Sequence, residues 1–86
     1  MPASTDWRDE KFNEVFDENM VGLERRRKIS PGFTLSELEG IIKALYVQEG
    51  NDWVGRGELQ DIVLHATIAA HEQFLEKWKM SIQEGS

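Results

Sequence analysis

Residues 57–82 carry two apolar stripes where an amphipathic helix ordinarily carries one. At about 100° per residue, Leu59, Ile62, Val63, Ala66, Ala69, Ala70 and Phe74 fall on one face. Leu64, Ile68, Leu75, Trp78 and Ile82 fall on a nearly opposite face, and the polar strip of Asp61, His65, Glu72, Glu76 and Lys79 is narrow. A helix of this kind asks to be covered on two sides.

Two further helices are predicted before it. Phe12, Val15, Phe16, Met20 and Leu23 recur at spacings of three and four, which predicts a helix over residues 6–28. Its acids lie early and its bases late, matching the helix dipole, while Gly22 near the middle offers a place to break. Ile29-Ser30-Pro31-Gly32 reads as a turn. The clearest local signal follows. Thr34 is an N-cap, Glu37 completes a capping box, and Phe33 with Leu38 forms a hydrophobic staple. A helix therefore starts at Leu35, with a stripe of Leu35, Leu38, Ile41, Ile42, Leu45 and Tyr46, and Gly50 is expected to end it at C′. Residues 50–57 hold three glycines around Trp53 and read as a loop.

The pattern predicts an all-α, three-helix arrangement in which helices two and three form an antiparallel hairpin. The 86 residues make one domain, with 1–5 and 83–86 expected to fray. The stripe around Ile42 is expected on Ala66, Ala69 and Ala70, whose small side chains permit close approach. The second stripe then has two possible covers: the first helix of the same chain, or its own copy across a two-fold axis in a dimeric helical bundle. Fully burying its five large side chains is worth very roughly 7–15 kcal/mol before ordering costs, so water is a poor partner for it.

Composition narrows the function classes. The chain has no cysteine, which excludes disulfides and cysteine-based zinc or redox sites. A net charge of −6 opposes binding to nucleic acid phosphates. No apolar run approaches a membrane span, and the first ten residues do not read as a signal peptide. A cytoplasmic location is the default expectation.

Candidate chemistry is sparse. His65 and His71 are six apart and point about 120° from each other, so they make no helical metal pair. Asp61 and His65 share a face, and with Glu72 they could form a site only if a second subunit completed it. The glycine loop lacks the Gly-Lys-Ser/Thr of a phosphate cradle and the alternating carboxylates of a calcium loop. It does present Trp53 beside Asp52 and Arg56, and Trp53 with Arg56 is a candidate partner anchor. Arg25-Arg26-Arg27-Lys28 is the one basic block and could contact phosphates, although its place at a helix end also suits the dipole. No serine sits in a nucleophile elbow, and the plentiful carboxylates of the first helix read as a solvated face.

The sequence therefore points to a non-enzymatic helical protein–protein interaction module with no cofactor or metal. Its expected partner is a second copy or a larger protein, met through Leu64, Ile68, Leu75, Trp78 and Ile82. The alternative is a nucleic-acid-associated regulator using Arg25, Arg26, Arg27 and Lys28.

Overall fold

The computed structural model describes residues 7–51 and 57–85, with side chains described for 7–50 and 57–82. Three α-helices account for nearly all of them: α1 (Trp7–Ile29), α2 (Leu35–Asn51) and α3 (Glu58–Gly85). No strand occurs among the described residues. α1 runs unbroken through Gly22.

The turn between α1 and α2 is held by the Ser30 amide donating to the Arg26 carbonyl (2.9 Å) and the Phe33 amide donating to Ser30 (3.0 Å). At the start of α2, the Glu37 amide donates to Thr34 Oγ1 at 3.2 Å and the Leu38 amide to the Thr34 carbonyl at 3.0 Å. These are the bonds of a Thr N-cap. The Glu37 carboxylate lies 4.0 Å from Arg26 Nη2 of α1. Phe33 and Leu38, the two halves of the expected staple, are both buried, Leu38 completely. α3 opens with the Asp61 amide donating to the Gly57 carbonyl (3.0 Å).

Two boundaries differ from the sequence reading. α2 continues through Gly50 to Asn51, so Gly50 is not its terminating C′ residue. α3 continues past residue 82 to Gly85, which leaves Lys77 and Lys79 inside the helix and no basic residue in its last turn. The expectation of a frayed lead-in at residues 1–5 lies outside the described residues.

α3 packs against both other helices, while α1 and α2 make no close backbone approach to each other. α1 lies parallel to α3: Arg8 pairs with Glu58, Asn19 Nδ2 reaches Thr67 Oγ1 at 3.4 Å, and Lys77 Nζ lies 3.7 Å from Glu24. α2 lies antiparallel to α3, with Glu49 Oε2 2.7 Å from His65 Nε2 and Glu39 Oε2 3.7 Å from Lys79 Nζ. The predicted hairpin is present.

These polar contacts exchange the expected partners of the two stripes. The bonds to Thr67 and Lys77 run α1 along the side of α3 that carries Ala66, Ala70 and Phe74. The bonds to His65 and Lys79 run α2 along the side that carries Leu64, Ile68 and Leu75. Size complementarity explains the exchange. In the register of its bonds, α1 sets the bulky Phe12, Phe16 and Met20 at the level of Ile62, Ala66 and Ala70, and the two alanines are completely buried. In the register of its own bonds, α2 brings Leu38 and Ile42 to the level of Trp78 and Phe74, and the four share one buried cluster.

The three helices meet at the end nearest the α1–α2 turn. Leu23, Phe33, Leu38, Ile42, Phe74 and Trp78 form the main core cluster there, with Met20, Leu35, Ile41 and Leu75 packed around it. The radius of gyration is 14.9 Å and the extents are 44 × 36 × 21 Å, against about 12 Å for a compact chain of this length. The 28 residues of α3 set the long dimension, at about 1.5 Å per residue. The arrangement is an open layer with α3 between its neighbours.

Gly22 is exposed within a continuous helix, and a Cβ built there meets nothing within 4 Å. Gly22→Ala is expected to stabilise the fold by about 0.5–1 kcal/mol through the unfolded chain. The check is the urea midpoint, which should rise with an unchanged slope.

Candidate functional site

The five residues of the second stripe do not present a surface on the single chain. Leu64, Ile68 and Trp78 are buried, Leu75 is half-buried, and only Ile82 is exposed, at 50 %. The expectation that they form an interface between copies is corrected by that burial: α2 and the turn cover most of the stripe from within. Ile68→Glu should consequently place an unpaired charge in the core at a cost of several kcal/mol, enough to unfold a domain of ordinary stability. Loss of the helical circular dichroism signal is the expected result; a well-folded variant would show that Ile68 is not core.

The basic block divides in two. Arg26 places its guanidinium carbon 4.6 Å from the Phe33 ring centroid, and Arg27 places its own 4.2 Å from the Trp78 centroid. Trp78 also meets Phe33 at 5.7 Å between centroids, and Phe74 edge-on at 5.9 Å. Two cations thus roof an aromatic trio, using the attraction of guanidinium for a ring face. Sequence reasoning missed this. The basic block and the aromatics are far apart along the chain, and only the parallel register of α1 and α3 brings Arg27 over Trp78. Arg27→Ala is expected to cost about 1 kcal/mol, while Arg25→Ala stays within about 0.5 kcal/mol of the native chain. Equal urea midpoints for the two variants would count against the stacking.

Between α1 and α2, α3 forms the floor of a trough. Toward the turn, the trough is a groove of about 370 Å³ lined by Glu18, Asn19, Gly22, Leu23, Arg26 and His71. Toward the other end it widens to about 520 Å³, with Leu45, Gln48, Leu59, Val63, Leu64 and Thr67 among its walls. Asn19 and Thr67 join the two parts. Thr67 Oγ1 donates to the Val63 carbonyl at 2.7 Å and receives Asn19 Nδ2, which also donates to the Val15 carbonyl at 2.8 Å.

His71 is 8 % exposed. Its Nδ1 lies 2.7 Å from the Thr67 carbonyl, and a carbonyl can only accept, so Nδ1 carries the proton. In the neutral ring, Nε2 is then an acceptor on the groove side, with no partner among the described residues. His65 is different. It is half-exposed, with Glu49 at 2.7 Å and Asp61 at 3.8 Å, and serves to tie the end of α2 to α3. Glu72 is exposed, one turn beyond the buried Ile68. Among the described residues no group of three or more His, Cys, Asp or Glu could hold a metal ion. Trp53 and Arg56 lie outside the described residues. Among the described residues, no helix is long and apolar enough to cross a membrane.

A third groove, of about 420 Å³, lies on the other side of α1, between its last turns and α3. Glu24, Arg27, Lys28, Phe74, Lys77 and Ser81 line it. Compared with known proteins, the chain matches no family model, no curated protein and no solved structure.

Proposed function

We propose that this chain is a small, non-enzymatic helical interaction module that associates with a second copy of itself. The observation that supports the reading is the open layer. Because α1 and α2 flank α3 without a close backbone approach to each other, apolar side chains stay uncovered on several elements. Val21, Tyr46, Val47, Leu59 and Met80 are all exposed by about half or more. Single exposed apolar residues are ordinary, but a chain this short has a limited core, and association is a common way to extend it. The nucleic-acid alternative has less support, since Arg26 and Arg27 already face aromatic rings and the net charge is −6. A cytoplasmic location fits the reading.

The test is the solution mass across a dilution series, by sedimentation equilibrium. The expected result is twice the 9.9 kDa chain mass, giving way to the monomer on dilution. A monomer at every concentration reached would sink the reading.

A further inference from the structure

The outward side of α1 segregates its charge. Positions 14, 17, 21, 24 and 28 recur at spacings of three and four, so they form one stripe along the helix. Glu14, Asp17, Val21, Glu24 and Lys28 occupy them, and all five are exposed. The stripe carries two acids before its one apolar residue, then Glu24, and ends on Lys28, with Arg25 beside it. Glu24 lies 3.7 Å from Lys77 of the same chain. Glu24 and Lys28 also line the groove floored by Phe74, so the stripe continues onto α3.

This pattern is complementary to itself in one orientation. A second copy laid antiparallel, with the two-fold axis at Val21, sets Val21 against its equivalent. It also sets Lys28 against Glu14 of the other copy and Arg25 against Asp17, each contact occurring twice, while Glu24, offset by Lys77 at 3.7 Å, comes opposite Glu18. The parallel alternative sets Glu14 on Glu14 and Lys28 on Lys28, which like-charge repulsion disfavours. We propose that the self-association read above uses this face: an antiparallel, two-fold pairing of α1 with α1 of a second copy, centred on Val21 and fixed by Glu14–Lys28 contacts. The inference rests on that reading and names its surface and orientation.

Charge reversal tests the pairing. Glu14→Lys and Lys28→Glu each place two like-charge contacts in the interface and should weaken the dimer by about tenfold. The double variant Glu14→Lys/Lys28→Glu restores opposite charges at both contacts and should return the dimerisation constant to near the native value. Glu14 also pairs with Lys11 at 3.1 Å within its own helix, so far-UV circular dichroism accompanies each measurement. Val21→Lys, which sets two ammonium groups at the axis of an otherwise unchanged helix, supplies a second disruption. A native dimer whose mass is insensitive to these changes would overturn the α1 pairing and leave self-association standing. Weakened single variants with no recovery in the double variant would overturn the Glu14–Lys28 contact. A native chain that is monomeric throughout would remove both.

Discussion

The contact between Trp78 and the residues around it holds the three helices together. Phe33 reaches it from the turn, Phe74 from its own helix, and Arg27 covers it from α1. Leu38 and Ile42 complete the cluster from α2, and Leu23 from α1. It is where all three elements bury side chains together. Each large apolar side chain contributes roughly 1.5–3 kcal/mol on burial, and edge-on aromatic pairs add to that. The Thr34 cap and the Phe33–Leu38 staple fix the direction in which α2 leaves the turn. From that corner α1 and α2 diverge, and the trough above α3 is the consequence.

The opposite end is secured in another way. Arg8–Glu58 and Glu49–His65 fasten α1 and α2 to the start of α3. These are exposed or half-exposed pairs, and such pairs contribute about 0–1 kcal/mol each. Stability is therefore uneven along α3. The corner around Trp78 gathers the main cluster of large apolar side chains, while the other end has Val15, Leu64 and Ala66 buried and adds only weak surface pairs. Local opening is cheapest where few apolar contacts must break. The wide end is also where Leu45, Leu59 and Val63 line a groove of about 520 Å³.

Much of this architecture was legible in the residues. The three helices, the turn, the cap at Thr34, the start of α2 and the antiparallel hairpin follow from local chemistry that acts within a few positions. The centrality of α3 follows from its two stripes. The partner of each stripe did not follow. A helical wheel assigns residues to faces, but which neighbour covers a face depends on matching sizes across two elements, here Phe12 and Phe16 against Ala66 and Ala70. The same limit explains the interface expectation for Leu64, Ile68 and Trp78: an apolar stripe reads alike whether α2 or a second chain lies on it. The division of labour in Arg25-Arg26-Arg27-Lys28 was equally hidden, because it needs the aromatic trio in place. The ends of α2 and α3 shifted because a glycine or a charged tail does not stop a helix that tertiary contacts continue to support.

α1 is the element on which the site and the assembly both turn. One of its sides walls the trough with Glu18, Gly22 and Arg26, and another carries the Glu14–Val21–Lys28 stripe. The two sides meet at Glu18, which walls the groove and lies about 60° around the helix from Val21. The trough has its own requirement. A nearly buried imidazole nitrogen with no protein donor is costly unless something donates to it, and Nε2 of His71 is such a nitrogen. Opposite it stands Gly22, with no side chain and no heavy atom of another element within 4 Å of where a Cβ would sit. A water in the open groove, whose walls already offer the polar groups of Glu18, Asn19 and Arg26, can meet the need.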